Sequence, residues 1–150
     1  LPRGDWEAGK KEIKDMAAKE TIHVITPDGF QSYLRGWKMS PGLVVGDLVF
    51  LTGMTGAGPG GSVDPDPSRQ IELAFERVQA VLDAAGARMI DLTSYHAGLQ
   101  DHLDVFREIR GRYVTEPYPA WTAIEVQGFV TPGTVVELRV VGRLFSAEAE

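Results

Sequence analysis

Between Asp66 and Gly86 the chain spells out one helix, ends included. Asp66 offers a carboxylate to the first free backbone N–H groups, and Pro67 suits the first helical position, where its missing N–H is no loss. Ile71, Ala74, Phe75, Val78, Val81, Leu82 and Ala85 recur at three- and four-residue spacing, and Gly86 can take the left-handed turn that closes a helix. Such a stripe must be buried against a second layer. The neighbouring sequence supplies strands for it. Leu48-Val49-Phe50-Leu51-Thr52 is apolar on both faces, as a central strand is, and Pro41-Gly42 and Gly46-Asp47 punctuate its approach. Ile22-His23-Val24-Ile25 is a shorter β-type run that stops at the turn signature Pro27-Asp28-Gly29.

Residues 53–67 are too rich in Gly and Pro for regular structure and read as a loop. Residues 92–98 alternate weakly and predict a strand. A second helix is expected over about residues 101–113, with Leu103, Phe106 and Tyr113 facing inward, before Pro117-Tyr118-Pro119 breaks it. Strands over 121–126 and 134–142 follow, joined by a loop holding Gly128, Pro132 and Gly133. The order is ββαβαββ, an α+β plan in which two helices cover one face of a mixed sheet. The uncovered face needs a partner, and oligomerisation is the economical solution.

A chain of 150 residues is expected to hold one domain. Residues 1–15 look unlike the rest, and Met16-Ala17-Ala18-Lys19 reads as a natural start. The expectation is therefore an expression scar or flexible tail over 1–15 and a single domain over 16–150. The absence of cysteine excludes disulfide scaffolds, Cys-based zinc sites and thiol nucleophiles, and suits a reducing compartment. A formal charge of −6 disfavours sequence-independent nucleic-acid binding, which depends on clustered Lys and Arg. No apolar run has the length of a membrane span and no signal peptide is recognisable, so the expected location is the cytoplasm.

No phosphate-binding or dinucleotide-binding glycine motif is present, and no G-x-S-x-G elbow. The histidines, His23, His96 and His102, have no metal-ligand spacing. A structural or exposed role is expected for His96, and solvation at a helix start for His102. Ser94 and Ser146 have no recognisable base partner. Glu137 is more informative. In Val135-Val136-Glu137-Leu138-Arg139-Val140-Val141, alternation puts Val136, Leu138 and Val140 on one face, and Glu137 and Arg139 on the other. A carboxylate there is either paired within the sheet, with Arg139 or a neighbour, or functional. Arg110 falls on the inward stripe of the second helix, where a cation either snorkels past the helix edge or meets an anion at a subunit boundary.

Four segments together resemble the RidA/YjgF family: Gly46-Asp47-Leu48-Val49-Phe50-Leu51-Thr52-Gly53, the helix ending Ala80-Val81-Leu82-Asp83-Ala84-Ala85-Gly86, Pro119-Ala120 leading into Ile124-Glu125-Val126, and Val136-Glu137-Leu138. The resemblance spans residues 42–144 in one order, with one short loop insertion before Pro132. It implies a chorismate-mutase-like fold, a homotrimer with a central barrel, and sites in the clefts between subunits. Many members are deaminases of reactive imines and enamines. Glu137 matches the strand glutamate that orients the attacking water, and Thr52-Gly53 matches a Ser-Gly pair that binds substrate. The arginine that holds the substrate carboxylate, directly after Pro-Ala, is here Trp121. Arg110 stands at an asparagine position of the second helix, and Met54 at a glutamine. A tyrosine of the family falls near Met39, within a stretch, Trp37-Lys38-Met39-Ser40-Pro41, that departs from the pattern.

An indole cannot clamp a carboxylate bidentately. The resemblance therefore implies a divergent member whose cleft hydrolyses C=N bonds of small metabolites with altered substrate preference. Glu137 would position water, Thr52 and Gly53 bind polar groups, Arg110 take the anion and Trp121 form an apolar wall. No metal or organic cofactor is implied, because an iminium is already electrophilic. The rival expectation is a ligand-binding or stress-protective trimer without turnover. Nuclease activity, attached to some relatives, conflicts with the acidic balance.

Overall fold

A computed structural model describes residues 9–15 and 21–146. Of the expected tail, residues 9–15 are helical, and residues 1–8 lie outside the described residues, as do 16–20 and 147–150. The elements that follow are β1 (His23–Ile25), α1 (Gln31–Gly36), β2 (Gly42–Val45), β3 (Leu48–Leu51), β4 (Met54–Thr55), a 3-10 turn (Pro59–Gly61), α2 (Pro67–Ala85), β5 (Ala87–His96), α3 (Leu99–Tyr113), β6 (Ala120–Glu125) and β7 (Val136–Leu144). The strands form one mixed sheet in the order β1-β2-β3-β7-β5-β6, with β4 also paired to β7. The β5–β6 pair is parallel, and the other pairs are antiparallel. The α+β plan, with its two long helices on one face, is the one the hydrophobic pattern predicts.

The ends of α2 are those its sequence specifies. The Asp66 carboxylate accepts from the Ser68 N–H at 2.9 Å, and Gly86 closes the helix at φ 67° with its N–H donating to the Asp83 carbonyl. Its stripe, Ile71, Ala74, Phe75, Val78, Val81 and Leu82, is buried against Val49, Leu51, Leu92, Val136, Leu138 and Val140. The approach is close at Gly142, where a Cβ would stand 2.7 Å from Leu82 Cδ2. Helix α3 lies beside α2, with Phe75 meeting Phe106 at 5.7 Å and Tyr113 at 5.1 Å between ring centroids.

Several details depart from the expectations. β5 begins at Ala87 rather than at residue 92, because Gly86 turns the chain straight from helix into strand. A register shift between Met89 and Asp91 breaks the alternation there: Ala87 and Met89 are buried, then Leu92, Ser94 and His96. Gly46-Asp47 makes a hairpin, so the expected strand, β3, is preceded by an unexpected β2 with Val45 opposite Leu48. The expected loop holds the two-residue β4. The short α1 buries no residue and carries no apolar period to read. The buried residues of α3 are His102, Phe106 and Ile109, which rotates the inward stripe away from Leu103.

The face opposite the helices is apolar as well. Leu43 stands opposite Phe50 and Phe50 opposite Val141, all half-buried, and Ile90 and Ile124 are exposed. Among the described residues no helix is long and apolar enough to cross a membrane.

The Gly142 contact sets a stability test. Gly142→Val overpacks the α2–β7 contact and should cost about 1–3 kcal/mol in urea unfolding. Gly128→Val, where no atom lies within 4 Å of the added Cβ, should stay within about 0.5 kcal/mol of the wild type.

Candidate functional site

Strand alternation sorts the candidate residues into two groups. Val136, Leu138 and Val140 point into the helix layer and are fully buried, so Glu137 between them points to the open face. It sits at the centre of the sheet, opposite Thr55 of β4 on one side and Tyr95 of β5 on the other. Gly53, between β3 and β4, lies directly under its carboxylate. A Cβ there would be 2.9 Å from Glu137 Cδ and would overlap Oε1, so this approach needs a residue without a side chain. Burial raises the Glu137 pKa above the usual carboxylate value. Among the described residues no ion pair reaches Glu137. Arg139, one of the two partners that the paired alternative allowed, instead donates to the Leu51 carbonyl.

Thr52 belongs to the same group. Its N–H donates to the Pro41 carbonyl at 3.1 Å and its hydroxyl points to Met39 Sδ at 3.4 Å. Met39 in turn donates its N–H to the Tyr33 carbonyl at 2.9 Å, which ties α1 to this corner. The Tyr33 hydroxyl reaches Met54 Sδ at 3.6 Å. Burial raises its pKa, Arg77 opposes that rise and Glu137 adds to it, which places the phenol in the field of both charges. Arg77 donates to the carbonyls of Thr55 and Ala57 and so fixes the turn after β4. No sequence signal marked Tyr33 or Arg77, because their meeting depends on the unpredicted α1.

The second group lies on the helix side. Trp121 of β6 stands opposite the buried Leu92, and its ring packs on Phe106 at 5.9 Å. Its single N–H donates to Ser94 Oγ at 2.9 Å. The Arg110 guanidinium stacks on the indole, with Cζ 4.4 Å from the ring centroid. Arg110 Nε is buried without a hydrogen-bond partner among the described residues. Desolvation, then the nearby Arg107, lowers the Arg110 pKa. The structure thus joins Thr52, Gly53 and Glu137, and joins Arg110 and Trp121. Within one chain these two groups occupy opposite sides of the sheet.

Histidines 96 and 102 complete the helix-side group, where solvation was expected for the latter. Both are buried, with His96 Nδ1 3.0 Å from His102 Nε2 and His96 Nε2 2.8 Å from Ser94 Oγ. Burial first, then the neighbouring His102, pushes His96 down to about 4, against the opposing pull of Glu125. His102 is lowered by burial, opposed by Asp101 and Glu125. Glu125 accepts from the N–H groups of Gly98 and Leu99 at 2.9 and 2.6 Å, capping α3 from the adjacent strand. The spacing His102, Phe106, Ile109 could have identified the buried histidine. Among the described residues no cluster of three or more His, Cys, Asp or Glu is placed to hold a metal. A groove lined by residues including Gln79, Asp83, Arg88, Arg112, Tyr113 and Phe145 contains none of the candidate residues.

Residues 37–143 match the family profile described as Endoribonuclease L-PSP. The RutC family protein YjgH of Escherichia coli (strain K12) is 31% identical over 124 residues, covering 80% of this chain and 93% of the relative. The chain belongs to the RidA/YjgF family. A solved structure of protein YJGH aligns with a TM-score of 0.74 at 30% identity, covering 83% of this chain and 97% of that one. At lower identity the fold alone is shared with other RidA/YjgF proteins. A Mycobacterium tuberculosis member of the YjgF/YER057c/UK114 family gives 0.69 at 20% identity, covering 83% and 100% of the two chains. RidA from the Antarctic bacterium Psychrobacter sp. gives 0.65 at 24%, covering 84% and 100%.

Two outcomes test this geometry. In Gly53→Ala the added methyl displaces the Glu137 carboxylate toward water, so its carboxyl carbon should titrate closer to the ordinary value by NMR. The His96 pKa is depressed from 6.5 to about 4. Between those values the unfolded chain binds more protons, so stability rises with pH through this window and is lost as pH falls through it. The histidine contributes at most ~1.4 kcal/mol per pH unit, and His96→Gln should flatten that slope in urea titrations at pH 4–7.

Proposed function

We propose that the chain is a RidA-like protein that hydrolyses C=N bonds of small reactive imines and enamines, at clefts between the subunits of a homotrimer. The observation that carries this reading is Glu137: half-buried, raised above the ordinary carboxylate value and seated over Gly53, with no ion-pair partner among the described residues. A carboxylate whose pKa is raised by burial and which is not held in an ion pair is suited to general acid–base work. The apolar open face, with Leu43, Phe50 and Val141 in register, supports burial against further copies. A cleft that uses both groups must take them from two chains, because one chain holds them on opposite sides of its sheet.

In this reading Glu137 accepts a proton from water as the oxygen attacks the C=N carbon. Glu137 hands that proton to the nitrogen to give a carbinolamine, then moves the hydroxyl proton to the same nitrogen as the C–N bond breaks, leaving a carbonyl and ammonia. Thr52 and Gly53 bind the polar groups of the substrate. Arg110 supplies the positive charge that the family's arginine would bring, now carried on the face of Trp121, and the substrate preference changes accordingly. A formal charge of −6 argues against the phosphate-backbone substrate named in the family description. One observation favours a second reading, a ligand-binding trimer without turnover: the Trp121 N–H is already taken by Ser94, so the strand offers no clamp of its own.

Ammonia release from 2-iminobutyrate and 2-aminoacrylate, together with sedimentation of the intact protein, decides between them. We expect a trimer whose turnover falls on the order of 10²-fold or more in Glu137→Gln, with assembly unchanged. Arg110→Ala should raise KM for carboxylate substrates. Silence of both the wild type and Trp121→Arg in an intact trimer would overturn the deaminase reading and leave the binding one.

A further inference from the structure

Behind the indole of Trp121 lies a row of buried polar groups that the proposed hydrolysis does not use. Trp121 Nε1 is 2.9 Å from Ser94 Oγ, Ser94 Oγ is 2.8 Å from His96 Nε2, and His96 Nδ1 is 3.0 Å from His102 Nε2. Ser94 and His96 are fully buried and His102 nearly so, and Phe106 closes the row edge-on to His96 at 4.6 Å.

Hydrogen-bond valence gives this row a direction. An indole N–H can only donate, so Ser94 Oγ accepts it. The Ser94 hydroxyl hydrogen is sealed from water, and among the described residues its acceptor is His96 Nε2. That nitrogen must then be bare, and His96 carries its hydrogen on Nδ1. Nδ1–H donates to His102 Nε2, which must be bare in turn, so His102 carries its hydrogen on Nδ1 also. The reverse arrangement would bury the Ser94 hydroxyl hydrogen without an acceptor, which is costly. Burial holds both imidazoles neutral at pH 7 although Glu125 and Asp101 pull the other way.

We propose that Ser94, His96 and His102 are positioning residues: a one-directional relay that locks the Trp121 indole, and through it the Arg110 guanidinium stacked on its face, in a single orientation. The relay would set where the cation stands and hence which anionic substrates fit. That consequence rests on the assignment of Arg110 to the cleft; the relay itself does not.

The decisive measurement is made on the wild-type protein at pH 7. Long-range ¹H–¹⁵N NMR should show both His96 and His102 as neutral Nδ1–H tautomers. An Nε2–H tautomer at either residue would overturn the relay. Three variants then test its reach, with the Trp121 Nε1–H and Arg110 Nε–H resonances as readouts. Ser94→Ala should shift both and speed exchange of the indole hydrogen by tenfold or more. His102→Leu, which leaves His96 Nδ1–H without an acceptor, should do the same to a lesser degree. His102→Gln, whose side-chain oxygen can accept that hydrogen, should restore both signals. Resonances indifferent to His102 in a folded protein would overturn the positioning role. If a variant fails to fold, the wild-type tautomers still decide. Ammonia release measured alongside keeps the two ideas separate: absence of turnover with the expected tautomers strikes the deaminase reading alone, whereas turnover with an Nε2–H tautomer strikes the relay alone.

Discussion

Burial of the α2 stripe against β3, β5 and β7 fixes the layer order, and through strand alternation it fixes the address of every candidate residue. Once Val136, Leu138 and Val140 must enter the helix layer, Glu137 has no choice of face. The same rule sends Leu92, Ser94 and His96 inward from β5 and brings Trp121 to the helix side of β6. Close packing enforces this at Gly142, where the helix leaves no room for a side chain. A one-residue slip of β7 would exchange the carboxylate for a valine.

Two environments with different physics follow. Glu137 faces the open side, and the Tyr33 phenol, whose hydroxyl reaches Met54 Sδ, lies in the field of its charge and of Arg77 in partly desolvated surroundings. On the helix side Arg110 keeps its charge with no carboxylate partner among the described residues, held by the face of an aromatic ring. A cation–π contact leaves the guanidinium edge unpaired, whereas an ion pair would occupy it. In the proposed site the positive charge therefore stands on the helix, at Arg110, where the family's strand arginine would otherwise bring it.

Much of this was legible in the residues. The capped helix, the central strand, the alternation around Glu137 and the four segments of the RidA/YjgF pattern all depend on local spacing, which sequence displays. What was hidden depends on contacts between distant segments. The β5 irregularity at Met89–Asp91 disguised the first half of a strand by breaking its period. His102 reads as solvated because a helix start is polar by habit, although its spacing to Phe106 and Ile109 puts it on the inward face; His96, arriving from β5, supplies its polar partner there. Tyr33 reaches the Glu137 corner on a helix with no buried residue, and a helix without an apolar face has no period. The separation of Arg110 and Trp121 from Glu137 could not be read from spacing, because it is a property of which side of the sheet each strand presents.

The seat of Glu137 on Gly53 has an evolutionary consequence. Positions 53 and 137 compete for one volume, so substitutions at the two are coupled and do not add. A side chain becomes tolerable at 53 only when 137 shortens or turns away, and either change withdraws the carboxylate from the corner it occupies. Drift at this glycine is thereby constrained by chemistry on the adjoining strand, and a lineage that loses the glycine is committed to a different site.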